Sequence, residues 1–295
     1  MHKGLKEPIN LKSRLQSTPR MPPKSGADPD PVKRPIGVFD SGIGGLSILK
    51  ALRAELPHED FVYVADSGHA PYGERDDAHV IDRSSAITAH LLAQYNIQAL
   101  VIACNTATAA AVSTLRQAHP LLPVIGVEPA LKPALVLSQT RRIGVMATRR
   151  TLGSAKFGAL VASVAGQAEF SCQPCDGLAD AIERQDTINI VALCAYYTGA
   201  MGRFGINSGE IDTLVLGCTH YPLVSDELRK SVGPNVRLID TGAAVARQTR
   251  RQLPEHCGAD CVGACRLLST GDPSALRQAA QRWLGLDQPV HSLLV

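Results

Sequence analysis

From Pro35 onward, short continuous apolar runs alternate with stretches of helical periodicity. Ile36 to Asp40 reads as a buried strand; Gly42, Gly44 and Gly45 then turn the chain into a helix with Leu46, Leu49, Leu52 and Leu56 on one face. Phe61 to Asp66 is a second predicted strand, Ala99 to Ala103 a third, and Val124 to Val127 a fourth. A helix is predicted from about Ala107 to Ala118. Apolar strands of four to six residues joined by helices predict a parallel sheet covered on both faces.

The same grammar restarts at Arg142, with a strand at Ile143 to Ala147, a helix at Thr151 to Val164, and strands at Thr213 to Gly217 and Val236 to Asp240. The two halves align: Ile36 to Ser41 pairs with Ile143 to Thr148, and Leu100 to Thr106 with Leu214 to His220. This predicts an α/β protein of two pseudo-symmetric domains, each a mostly parallel sheet flanked by helices. The expected division is a tail at 1–34, a first domain of 35–126 plus 241–288, and a second domain of 127–240. Gly126 to Pro133, between the halves, is a candidate hinge. Ligands of open parallel sheets bind outside the carboxyl ends of the strands, so the site is expected in the cleft between the domains.

Charge sharpens the division. Residues 1–34 carry eight Lys or Arg against three acids, a net +5, so in a chain of net charge +3 the remaining residues sum to −2. Nucleic-acid binding would place the basic excess on the folded part, so it is not expected. Six prolines in the same stretch, without helical or strand periodicity, predict a loosely attached tail. The 295 residues are 45% hydrophobic, with no apolar run long enough to span a bilayer and no secretory pattern in the first 20 residues. A cytoplasmic protein with reduced thiols is therefore expected.

The alignment also pairs Cys104 with Cys218. Each ends an apolar strand and is followed by hydrogen-bonding residues: Asn105, Thr106 and Thr108 in one case, Thr219 and His220 in the other. Thr106 or Asn105 is expected to cap the helix after Cys104. Alone, either cysteine reads as a small buried hydrophobe; core packing gives no reason for two at equivalent positions. Opposed thiols suit a racemase, which removes a proton from one face of a carbon and returns one to the other.

Asp40 and Ser41 end the first strand. Ser41 is a candidate for binding a substrate carboxylate or amine, and Asp40 for binding an ammonium or orienting the Cys104 thiol. The Gly42-x-Gly44-Gly45 turn does not fit a dinucleotide fingerprint. Pro71-Tyr72-Gly73 is a candidate pocket wall. Cys172-x-x-Cys175 and His256, Cys257, Cys261 and Cys265 can be assembled into a zinc site on paper, but the intervals of the second cluster are not paired zinc-knuckle spacing, and no metal is expected. Cys194 is placed in a helix core. A pyridoxal enzyme would need a Schiff-base lysine, but Lys50, Lys132, Lys156 and Lys230 all lie away from these motifs.

Val38 to Ser47, the Pro71-Tyr72-Gly73 loop, Cys104 to Ala107, Leu216 to Leu223 and Ile239 to Gly242 together resemble the glutamate racemase family, within the aspartate/glutamate racemase superfamily. The resemblance runs from about Pro35 to about Trp283. It implies a cofactor-independent isomerase that interconverts L- and D-glutamate for peptidoglycan synthesis. By motif position it makes Cys104 and Cys218 the acid/base pair, with Asp40, Ser41, Tyr72, Gly73, Asn105, Thr106, Thr219 and His220 lining the substrate site. Glu183 resembles the family's assisting glutamate. The expected assembly is a homodimer of unspecified arrangement. Rival readings are an aspartate or hydantoin racemase or a decarboxylase of the same architecture, a small-ligand binding protein, or a protein partner role for the tail.

Overall fold

The computed structural model describes Met1, residues 33–253 and residues 262–295. Residues 2–32 of the expected tail and the His256, Cys257 and Cys261 positions lie outside the described residues. The compact body begins at Arg34, one residue inside the expected tail. Arg34 donates to the carbonyls of Asn96 and Ile97, which ties it to the body.

The strands are β1 (Ile36–Asp40), β2 (Phe61–Ala65), β3 (Ala99–Ile102), β4 (Val124–Gly126), β5 (Arg142–Ala147), β6 (Glu169–Pro174), β7 (Thr213–Leu216), β8 (Arg237–Ile239), β9 (Cys265–Ser269) and β10 (Val290–Ser292). Between them run α1 (Leu46–Glu55), α2 (Asp77–Tyr95), α3 (Asn105–Ala118), α4 (Leu131–Leu137), α5 (Arg149–Gly153), α6 (Ala155–Ala162), α7 (Leu178–Glu183) and α8 (Thr187–Met201). The last helices are α9 (Ser225–Val232), α10 (Gly242–Gln252) and α11 (Pro273–Leu284).

One sheet has the order β10-β9-β2-β1-β3-β4 and the other β6-β5-β7-β8, with every pair parallel. The central strands β1, β2, β3 and β7 are buried along their whole length. That burial explains their unbroken apolar sequences. β6, β9 and β10 were not expected. β6 is a mostly half-buried edge strand without a continuous apolar run, and β10 is the edge of its sheet, beyond the expected domain end at 288.

The expected helix at Thr151 to Val164 is two helices. Ser154 ends α5 and caps α6, accepting from the Phe157 N–H. Cys194 is fully buried in α8, as expected.

The halves repeat one another down to single hydrogen bonds. Ala103 N donates to Phe39 O at 2.7 Å, and Gly217 N to Met146 O at 2.7 Å. Asp66 N donates to Asp40 O at 2.9 Å, and Cys175 N to Ala147 O at 3.0 Å. These bonds fix where the chain leaves the sheet after β3 and β7, so Cys104 and Cys218 stand at matching exits. Each exit adjoins the point where strand order reverses, between β1 and β3 and between β5 and β7. Open α/β sheets form their crevices at such points.

Candidate active site

Cys104 is itself the N-cap of α3, with extended backbone (φ −133°, ψ 124°); its Sγ accepts from the Ala107 N–H at 3.4 Å. This corrects the expectation that Asn105 or Thr106 caps the helix, since both already lie within its first turn. The Cys104 thiol donates to Ser41 Oγ at 3.8 Å. Burial, reinforced by the negative charge of Asp40, pushes the thiol up to about 12, so it is protonated near neutral pH.

Cys218 is placed differently. After β7 the chain runs through Thr219 and His220 into a single 3-10 turn at Tyr221–Val224 before α9 begins. His220 Nδ1 lies 3.7 Å from Cys218 Sγ, and Nε2 lies 2.6 Å from Glu183 Oε1. Burial alone would lower the imidazole's affinity for a proton; the bonds to Cys218 and Glu183 overcome it and hold His220 well above its usual range. A doubly protonated His220 donates from Nε2 to Glu183 and from Nδ1 to Cys218, which supports negative charge on that sulfur.

Both sulfurs line one cavity, together with Ser41, Tyr72, Gly73, Asn105, Thr106, Glu183, Thr219 and His220. Asp40 is the exception among the expected residues. It is fully buried below the wall, accepting from Gly42 N at 2.8 Å and from Thr219 Oγ1 at 3.0 Å. It therefore holds the Thr219 side chain and makes no hydrogen bond to the Cys104 thiol. Burial pushes the Asp40 carboxyl up to about 6, against the opposing pull of His220 and of the Gly42 N–H.

Contacts between the two halves close the cavity. Thr106 Oγ1 meets Thr148 Oγ1 at 3.1 Å, Ile43 N donates to Glu183 Oε1 at 2.6 Å, and Ser47 Oγ donates to Thr219 O at 2.9 Å. Glu183, the last residue of α7, thus touches both the first half and His220. Gly42 makes this approach possible, because a Cβ there would lie 1.8 Å from Glu183 Oε1.

Sequence reasoning missed Thr148 and Cys175, both on the cavity wall. The aligned halves already paired Thr148 with Ser41, which was the available signal. Cys175 is buried with its thiol donating to Gln173 O at 3.3 Å, while Cys172 is exposed on β6. Asp40, Glu183 and His220 lie close enough together to share an ion, with one ligand atom each within 4.8 Å of the others. Their lone pairs are instead taken up by Gly42 N, Thr219 Oγ1, Ile43 N and one another. Glu183 and His220 form a hydrogen-bonded relay to the Cys218 sulfur, and Asp40 stands outside it, bonded to Gly42 and Thr219.

Two thiols line one cavity at matching strand exits, an arrangement chemically able to take a proton from one face of a bound carbon and return one to the other. The profile of the Asp/Glu/hydantoin racemase family matches residues 46–249, and the chain belongs to that family. Within it, the chain is 48% identical over 266 residues to the glutamate racemase of Cupriavidus pinatubonensis, covering 88% of this chain and 95% of that one. A glutamate racemase isoform from Bacillus anthracis superposes with a TM-score of 0.76 at 31% identity, covering 89% of this chain and 98% of that one. The Escherichia coli glutamate racemase, solved with L-glutamate and an activator, gives 0.74 at 28% identity, covering 89% and 99%. Among the described residues no helix is long and apolar enough to cross a membrane.

Proposed function

We propose that this enzyme interconverts L- and D-glutamate by two-base proton transfer between Cys104 and Cys218, without a cofactor, supplying D-glutamate for peptidoglycan in the cytoplasm. The observation that carries the reading is the pair of sulfurs on one small cavity, each at the equivalent exit of its own sheet. Glutamate is favoured by the relatives, among them one solved with L-glutamate.

For the enantiomer whose α-hydrogen faces Cys218, Cys218 reacts as the thiolate and Cys104 as the thiol. The thiolate takes the substrate α-proton from one face. The electron pair left on carbon then takes the Cys104 proton from the other face. The enzyme ends with Cys218 protonated and Cys104 as thiolate, the form competent for the opposite enantiomer. Ser41 and the Ala107 N–H support charge on Cys104; His220 and Glu183 support it on Cys218. Closure of the halves excludes water around these donors.

Incubation with L-glutamate in D₂O, without added cofactor, is expected to yield α-deuterated D-glutamate. Cys104→Ser and Cys218→Ser are each expected to lower racemisation by about 10³-fold, followed by circular dichroism. Full turnover by either variant contradicts the two-base assignment.

A homodimer is the assembly we favour. α8 has no charged residue between Thr187 and Met201 and exposes Ile188, Val191 and Tyr196. A helix apolar on all sides is normally covered. Sedimentation equilibrium is expected to show a dimer for the native chain and a monomer for Ile188→Lys/Val191→Glu.

A further inference from the structure

The loop that supplies Tyr72 and Gly73 to the cavity is not held by a sheet ladder. It runs from Asp66 through two single-turn 3-10 segments, Ser67–His69 and Tyr72–Glu74, before α2 begins. A wall built this way keeps its place only if something beneath it is rigid. Asp66 is what lies beneath. Its carboxylate is fully buried and accepts four hydrogen bonds. Oδ2 takes the Tyr72 hydroxyl at 2.6 Å and Arg83 Nε at 3.0 Å; Oδ1 takes Arg83 Nη2 and Thr270 Oγ1, each at 2.8 Å.

The three donors come from three separate places: the loop itself, α2, and the turn after β9. Arg83 presents the two-pronged geometry that fixes a carboxylate in orientation as well as position. Thr270 is anchored in turn, its N–H donating to Ala65 O at 3.0 Å and its Oγ1 accepting from Gly68 N at 3.1 Å. Gly68 is needed for that approach, since a Cβ there would stand 2.7 Å from the Thr270 carbonyl. The Tyr72 hydroxyl is therefore turned inward, away from the cavity, and the residue offers substrate only its ring and backbone.

We infer that Asp66, Arg83 and Thr270 are positioning residues for substrate binding, acting through the Tyr72 hydroxyl to hold the Tyr72–Gly73 wall in place. The inference rests on the proposed assignment of Tyr72 and Gly73 to the substrate wall. Arg83 is in α2 and touches neither sulfur, so its effect belongs mainly to KM. Arg83 also donates from Nη1 to the exposed Val295 carbonyl at 2.6 Å; its bonds to the fully buried Asp66 are the ones whose loss is costly whichever partner is removed.

The test is a double-mutant cycle on the full chain, with L-glutamate as substrate and thermal unfolding measured alongside. Arg83→Met is expected to raise KM about 10-fold, the scale of one lost hydrogen bond to a charged group, and to change kcat far less. Arg83→Lys is expected to recover part of the loss. In a Tyr72→Phe background Arg83→Met is expected to change KM less than about twofold, because the route it acts through is already cut. If Arg83→Met does not fold, Thr270→Val, which leaves both charges in place, takes its part in the same cycle. An equal rise in KM in both backgrounds, or a lowered melting temperature with KM unmoved, overturns the inference. Tyr72→Ala separates the two layers. If it leaves KM unmoved, the wall assignment fails; if it raises KM while the cycle shows no coupling, only the positioning role fails.

Discussion

Asp40 and Cys104 are both buried beside one active cavity, and burial raises the proton affinity of each, but the two matter at different pH. Cys104 stays protonated throughout the neutral range, whereas the Asp40 carboxyl titrates at about 6. Its ordinary value is 3.8, so the folded state binds the proton more tightly than the unfolded chain. The stability this contributes is fully present below about 4 and is lost as pH rises through about 6. At roughly 1.4 kcal/mol per pH unit the change amounts to at most about 3 kcal/mol. The melting temperature is therefore expected to fall between about pH 4 and 6 and to level off above, and Asp40→Asn, which keeps an acceptor for the Gly42 N–H, is expected to flatten that fall. A wild-type curve already flat over this interval would contradict the burial argument. The cysteines allow a similar separation of chemistry from folding. Serine is a good N-cap, so Cys104→Ser is expected to keep the stability that Cys104→Ala loses, about 1 kcal/mol, while both lose activity.

At the scale of elements, legibility followed unbroken apolar runs at the sheet centres and was uneven elsewhere: the edge strand β8 was read, while β9, inside its sheet but interrupted by Arg266, was not. β1, β3, β5 and β7 were readable because strands covered on both faces carry continuous apolar runs, and the cysteines stood out because those runs ended at them. β6 and β10 lie at sheet edges, where one side needs no apolar cover, and their sequences carry no such run. The break at Ser154 was hidden because both α5 and α6 fit one helical period; only the capping residue marks it. In the site, Ser41 and Cys104 followed from strand ends, but no local pattern could reveal that α7 carries Glu183 against Ile43, 140 residues away in sequence. That contact depends on Gly42. Gly42→Ala is expected to push the Glu183 carboxylate off Ile43 and His220, lowering kcat about 10-fold or more with a small change in melting temperature. Combined with Glu183→Gln it is expected to add little, because both changes disable the same relay. Independent, multiplying effects on kcat would show that Gly42 acts some other way.

For the whole molecule, the resemblance to racemases and the repeat of one half in the other point the same way, and the basic excess at 1–34 stands apart from both. The compact body starts at Arg34, and each cavity residue lies within it. Removal of residues 2–32 is accordingly expected to leave kcat/KM for glutamate within about twofold, measured by coupled assay; a larger loss would tie that segment to catalysis. The low-pH side of stability is set elsewhere. In Asp66, hydrogen bonds from Arg83, Tyr72 and Thr270 outweigh burial and hold the carboxyl below its ordinary value. Its contribution is present above about 4 and disappears as pH falls further, opposite in sign to that of Asp40.

The two sulfurs occupy matching exits, but their surroundings do not match: one caps a regular helix, the other faces an imidazole across a tight turn. A polypeptide of L-residues can repeat itself by rotation but never by reflection, so the enzyme cannot treat mirror-image substrates identically at each step. Enantiomers nevertheless have equal free energy in water. The Haldane relation therefore obliges kcat/KM to be the same in both directions, while kcat and KM are free to diverge in proportion. The unequal settings of Cys104 and Cys218 are where that divergence originates.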